Sequence, residues 1–499
     1  VLSKKIMKKM NLLVMSLVSA AALSFTSCSS NDELDGNAGQ EKVDGFYMTL
    51  SVQTPTSNGT RTVVNTSTEY ATEDEAAITK GTLYLVDADK NIVFSEYLSD
   101  LDWTGQLNND ENSKKDGNHT FKIEVKNVEA GKTYNVYFKA GDQEPTAAMN
   151  FNPTLSNIFA FGTDDKFATT FSSGKNFAMF NQNDSQVNGN GYTVKFIQAN
   201  NNEQNPAKVY YEGNAGAPIK VERVVARIDA PEVGSTQVLA NEPADASAAL
   251  KVAIADAKKK VDDITLVNYA VANLANKSYV MQTWNSDKLV LPNDISYAQK
   301  TTDFGGTYDY KDGGFDNTTN KPLNYVFENY SEGAPTTMYF EYQVTLKESE
   351  MTNADFKDGD YKGTFYRYNN VIYTSFAQIF EDYKGVAELF GKDETPATMK
   401  TKLEAAIGNE TELGEFRHKY NIEVFKGGKT YYKYVIKDKF IGYDKAIQRN
   451  SIYHLKINNI FNVGAQVPNG EVTENDFYYL NVTVTVNPWV LNEDNVDLQ

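Results

Sequence analysis

The chain contains three histidines, His119, His418 and His454. None stands in a spacing such as HExxH, which would set two imidazoles on one helix face around a metal. His454 falls inside the alternating segment Ser451 to Ile460, where an imidazole serves structure more readily than proton transfer. There is no GxSxG elbow, no P-loop and no strand-borne GxGxxG. Carboxylates are plentiful, at 66 Asp plus Glu, and a flanking pair could hydrolyse a glycoside. That reading stays open, but nothing distinguishes one pair from another. Asp309, Asp312 and Asp316 lie in TYDYKDGGFDN and could offer oxygen ligands to calcium, yet the EF-hand spacing fails, and a solvated loop is the simpler reading. Tyr431-Tyr432-Lys433-Tyr434 could stack on a sugar, although an aromatic strand within a sandwich explains it as well. The expectation is a protein that is not an enzyme and that holds no metal or cofactor.

The single cysteine, Cys28, has no partner for an intramolecular disulfide. Lys4, Lys5, Lys8 and Lys9 precede an apolar run from Leu12 to Phe25, and the small residues Thr26 and Ser27 lead into Cys28. Met7 and Met10 are candidate translation starts. The pattern is that of a signal peptide, shorter than a comfortable span of about 20 residues. A cysteine at that position resembles the lipobox of a bacterial lipoprotein, whose thiol accepts the lipid. The run Ser29 to Glu33 is similar to the surface-export signal of Bacteroidetes lipoproteins.

These residues must be carried by elements, and composition says of what kind. With 41% hydrophobic residues in 499, the chain can bury a sizeable core, and 31 Tyr and 27 Phe favour strands. A net charge of −18 argues against nucleic acid, which wants clustered Lys and Arg.

The first strand expected is Gly45 to Gln53, with Phe46, Met48, Leu50 and Val52 on one face. A polar loop, Thr54 to Arg61, follows, of the kind proteases cut, and Arg61 is the first arginine of the chain. Short alternating strands follow at Thr82–Val86, Ile92–Tyr97, Thr120–Val125, Lys132–Lys139, Tyr192–Ile197 and Pro218–Asp229. Their spacing predicts a β-sandwich. A domain boundary is expected near residue 230, giving domains 62–230 and 231–474. Beyond it the pattern predicts helices at Ala244–Asp263, Ser375–Phe390 and Ala397–Ile407, and strands at Ile264–Ala270, Tyr325–Asn329, Thr337–Val344, Ile422–Phe425, Lys429–Ile436 and Ser451–Ile460. The final segment, 475–499, alternates from Tyr479 to Val486. Pro488, lacking an N–H, is expected to stop that ladder. Trp489, Val490, Leu491, Val496 and Leu498 then carry apolar surface almost to the last residue, where chains ordinarily turn polar.

Three stretches together carry a resemblance: Val221 to Arg227 (VERVVAR), Ile447 to Leu455 (IQRNSIYHL), and Val482 to Val490 with Val496-Asp497-Leu498. Tyr325 to Asn329 adds a fourth. They resemble the fimbrillin family of Bacteroidales, which builds type V pili, and most of all its short-fimbria major (stalk) subunits.

The resemblance implies a mainly β fold of two transthyretin-like β-sandwich domains with a few short helices. It implies export as an outer-membrane lipoprotein through Cys28, with residues 1–28 as signal and 29–61 as propeptide. An arginine-specific surface protease would cut after Arg61 and release the lipid with the first strand. The apolar tail of the next copy, Trp489, Val490, Leu491, Val496 and Leu498, would then fill the groove left by Phe46, Met48, Leu50 and Val52. Implied partners are further copies head to tail, anchor and tip subunits, and a surface receptor that the sequence does not name. The membrane enters only through the precursor's lipid, and the assembled fimbria stands on the cell surface. The competing reading is a lipid-anchored, glycan-binding surface lipoprotein.

Overall fold

The computed structural model describes residues 45–490 apart from 54–68, 71–72, 100–117, 144–159, 163–167, 183–190, 230, 286–287, 299–314, 317–320, 323, 439–444 and 469–479. All of these belong to one compact unit, Asp44–Gln499. The fold is mainly β.

The first strand, Phe46–Gln53, alternates buried and half-buried side chains along its whole length, as its period-2 sequence requires. It sits inside a ten-stranded sheet. Along one edge it pairs in parallel with Ala207–Tyr211 through Met48 and Thr49, and with Ile219–Arg223 through Val52 and Gln53. Along the other it runs antiparallel to Asn118–Val125, from Phe46↔Val125 to Gln53↔Asn118. From Ile219–Arg223 the pairing continues to Met179–Asn181, to Thr133–Ala140 and to Thr193–Lys195, and returns to Ala207–Tyr211. The ladders therefore close on themselves, and the first strand is a member of the ring.

Sheet membership changes between Arg223 and Val225. Val225–Asp229 joins a five-stranded sheet with Asn324–Phe327, Ser451–Ile460, Leu480–Val490 and the short Glu69–Tyr70. A four-stranded sheet is built from Thr236–Gln237, Val261–Ala272, Thr337–Leu346 and Lys429–Val435. Ala226, Ile228, Tyr453 and Leu455 of the five-stranded sheet share one core with Leu266, Val271, Phe340 and Tyr342 of the four-stranded one. Two sheets facing across a common core make a β-sandwich.

The helix Ala248–Lys260 packs Leu250, Ile254 and Ala257 onto that core. It is shorter at both ends than the expected Ala244–Asp263. Ser247 Oγ accepts from the Leu250 N–H and caps the start, and at Val261 a strand takes over with Val261, Ile264 and Leu266 buried.

Between Thr337–Leu346 and Lys429–Val435 the chain inserts a helical subregion with a core of its own. It holds the helices Phe376–Asp382, Pro396–Ala406 and Glu410–Tyr420 and a three-stranded sheet, Phe365–Tyr368, Val371–Tyr373 and Glu423–Phe425. The first of these helices ends at Asp382, well short of the expected Phe390. The helix Glu410–Tyr420 was not expected from the sequence, because Gly414 interrupts an otherwise highly charged stretch. Its signals were an Asn409 cap, whose Oδ1 accepts from Thr411 and Glu412 N–H, an acidic first turn and a basic last turn.

The last strand departs from expectation at Pro488. The ladder does not stop there but runs from Leu480 to Val490. Pro488 faces Ser451, the first residue of its antiparallel neighbour, so the missing N–H falls at the end of that ladder and not within it. Past that point Trp489 and Val490 acquire a new parallel partner, Glu69 and Tyr70.

No helix among the described residues is long and apolar enough to cross a membrane.

Candidate functional site

The four residues expected to form a removable strand are the most deeply buried set the first strand offers. Phe46 is 3% exposed, and Met48, Leu50 and Val52 are fully buried. Phe46 packs its ring 5.5 Å from Phe196, which in turn meets Tyr134 at 6.0 Å. Backbone partners lie along both edges of the strand. Taking it away would leave Asn118–Val125 on one side, and Ala207–Tyr211 with Ile219–Arg223 on the other, as unpaired edges over an apolar floor.

Of the tail residues, Trp489 and Val490 lie at the end of the last strand, with their backbones paired to Glu69 and Tyr70. The backbones of these two thus have partners within their own chain. Val482 of the same strand packs against the sandwich core. Leu491, Val496 and Leu498 lie outside the described residues, as do Cys28, Arg61, Asp309 and Asp312.

The stretches VERVVAR and IQRNSIYHL come together in a buried ionic junction between the ten-stranded and five-stranded sheets. Arg227 forks onto Asp229 with Nε–Oδ1 and Nη2–Oδ2 both 2.9 Å, and reaches Glu75 Oε1 at 3.0 Å. Tyr325 Oη donates to the same Glu75 oxygen at 2.8 Å. Arg223 donates Nε to the Glu75 carbonyl oxygen at 2.8 Å and Nη1 to Asn450 Oδ1 at 3.0 Å. His454 lies 3.0 Å from Asp229 through Nδ1, which gives it a structural partner. A second cluster surrounds Arg449, which forks onto Glu328 at 3.1 and 2.8 Å and donates to the Val280 carbonyl at 2.7 Å. Glu222 lies 3.9 Å from Arg449 Nη1, and neither of its oxygens has a well-aligned hydrogen bond. Burial pushes its carboxyl up to about 8; Arg449 opposes the rise, Glu328 reinforces it, and the Gln282 backbone N–H offsets it only slightly. Glu222 and Glu328 stand in stretches that carry the resemblance, but nothing in the sequence marks them, or the lone Glu75, as buried partners of arginine.

Among the described residues no cluster of three or more His, Cys, Asp or Glu is placed to hold a metal. Tyr432 of the aromatic ribbon is buried in the sandwich, with its Oη donating to the Asn462 carbonyl at 2.6 Å.

Residues 423–495 match the family model for the C-terminal part of fimbrillin, the major fimbrial subunit protein type IV. No curated protein matches the chain. Among solved structures it is similar to a Parabacteroides distasonis protein named for cell adhesion, at 13% identity and TM-score 0.46, over 91% of this chain and 100% of that one. It is also similar to a fimbrial assembly protein of the same organism, at 10% identity and TM-score 0.28, over 61% and 82%. Residues 423–495 carry the last two long strands and the ladder that joins them, and this part of the chain is what is similar to the C-terminal part of fimbrillin.

Proposed function

We propose that the chain is a stalk subunit of an adhesive surface fimbria, exported as an outer-membrane lipoprotein on Cys28, cut after Arg61 and polymerised by donor-strand exchange. The observation that carries this reading is the position of the first strand, central and paired on both edges; in the sequence it is followed directly by the polar stretch that ends at Arg61. A structural strand this central is an odd place for a cleavable loop, unless the strand is meant to be replaced.

Cleavage alone would not empty the groove. Burying Phe46, Met48, Leu50 and Val52 stabilises the strand by roughly 1.5–3 kcal/mol each, on the order of 10 kcal/mol together before ordering costs. An incoming strand of matching pattern compensates for that loss as the old one leaves, which favours exchange over an open intermediate. Trp489, Val490, Leu491, Val496 and Leu498 of the next copy are the proposed donor. Their root pairs with Glu69–Tyr70, in the segment that cleavage turns into a new N-terminal arm. Cleavage after Arg61 thus acts near both ends of the exchange. Domains 62–230 and 231–474 then act as the acceptor body and the donor-bearing body, with anchor and tip subunits closing the filament.

The deciding experiment is N-terminal sequencing of the mature surface protein. A start at Thr62 is the expected result; a lipidated Cys28 on the mature chain would support a permanently anchored surface lipoprotein instead.

A further inference from the structure

The helical subregion carries a cleft of about 650 Å³ that the assembly reading does not use. It lies between the last turn of Glu410–Tyr420, the two-residue turn Asn369-Asn370, the strand Glu423–Phe425 and Gln466-Val467. Its volume is that of a small-ligand site.

Two guanidinium groups line it, and their situations differ. Arg367 is fully engaged: it forks onto Glu423 at 2.5 and 2.6 Å and donates to the carbonyls of Val463 and Gly464 at 2.7 and 3.0 Å. Arg417 is 8% exposed, and among the described residues its guanidinium has one acceptor, the carbonyl oxygen of Val424; Nε has none. No carboxylate among the described residues is in ion-pair contact with it: Glu423, which lines the cleft, commits both oxygens to Arg367, and Glu410 acts on Arg417 only through space. Burial lowers Arg417 to about 10, partly offset by Glu410, Tyr431 and Glu423 acting through space, so a cation stands at the cleft with no carboxylate among the described residues in contact with it. Its unfilled donors can take an anion from outside.

The remaining polar lining fixes what surrounds that anion. Asn369, Asn370, Asn421 and Gln466 bring four amides to the cleft, beside the His418 imidazole and the Glu423 carboxylate. Asn369, Asn370 and Asn421 hold left-handed backbone, at φ 48°, 64° and 47°, which by itself explains their residue type. The Asn369 amide donates to Tyr383 Oη at 2.8 Å, and all three residues line the cleft. Gln466 accepts from the Val424 N–H at 2.7 Å through Oε1, which leaves its amide N–H groups as donors. Amides that can both donate and accept match the hydroxyls of a sugar, and a guanidinium matches a carboxylate.

We propose that this cleft binds a sugar carboxylate: a uronic acid residue within a polysaccharide, or a terminal nonulosonic acid. The proposal is independent of donor-strand exchange.

The test is calorimetric titration of the full chain with digalacturonate, its methyl ester, sialyllactose and acetate. One site per chain is expected for digalacturonate, sialyllactose or both, and which of them binds identifies the source of the carboxylate. The methyl ester, which loses the charge-assisted contact, and acetate, which keeps it but lacks the sugar hydroxyls, should each bind roughly tenfold more weakly or worse. Arg417→Gln should lose a similar factor, and Asn370→Gly, which suits the left-handed turn, should weaken binding several-fold with an unchanged melting temperature. The proposal is overturned if ester or acetate binds as tightly as the sugar acids, if neither acid binds, or if Asn370→Gly binds as the wild type does. Should Arg417→Gln fail to fold, the acid–ester contrast and Asn370→Gly decide.

Discussion

The residues that most resemble the family in sequence turn out to be the ones that handle buried charge. Arg223, Arg227 and Arg449 are each no more than 2% exposed, and each meets a carboxylate or carbonyl brought from a distant stretch of chain. Glu222 is the exception, a buried carboxylate without a good hydrogen bond. Its ordinary value is 4.5 and burial raises it to about 8, so between those limits the folded chain holds a proton that the unfolded chain has released. Stability from this group is therefore full at the acid end and is lost as pH rises through that window. Glu222→Gln does not titrate. Relative to wild type it should melt at a similar temperature near the acid limit and several degrees higher at the alkaline one. Melting curves for the two proteins that stay parallel across the window would contradict the assignment.

At the scale of elements, the first strand was legible from sequence in its boundaries and in its buried face, because a period-2 pattern encodes both. Its place in the sheet was not legible, since parallel pairing to Ala207–Tyr211 and Ile219–Arg223 is set by residues more than 150 positions away. That placement gives a contrast to measure. Leu50→Ala should destabilise the uncleaved precursor by about 2–5 kcal/mol in denaturant unfolding, as for a fully buried leucine. Under the proposed processing, which removes the strand, the same substitution should leave the assembled filament unchanged. A filament destabilised to the same extent would show that the strand is retained. The helix Glu410–Tyr420 illustrates the opposite failure: its cap was readable, but its apolar stripe of Leu413, Phe416 and Tyr420 was diluted by charge.

For the whole molecule, the proposed exchange would use two different segments of the chain as acceptor and donor, so a contact between copies would be heterologous, the kind that permits growth as an open fibre. The fold also locates the cut that separates folding from assembly. Because the last strand runs to Val490, truncation after Pro488 would remove two residues of its own ladder, whereas truncation after Val490 spares the strand. The chain ending at Val490 should keep a wild-type melting temperature and, once processed, should form no filaments in electron micrographs. Filaments of normal length from that protein would remove residues 491–499 from the donor.

By itself the sequence determined the class of protein. Alternation fixed most strands, aromatic and β-branched content fixed a mainly β fold, and the scarcity of histidine and motif left no catalytic centre to nominate. These are local or compositional properties, carried by each segment alone. Only the tertiary structure decided that the first strand belongs to a closed ring of ladders, that Pro488 is absorbed at a ladder's end, and that Glu75, Glu222 and Glu328 meet buried arginines. It alone placed Arg417 at a cleft with no carboxylate among the described residues in contact with it. Each of these depends on which distant residues share an edge or a buried volume, and pairing across the fold, not the pattern along the chain, sets that.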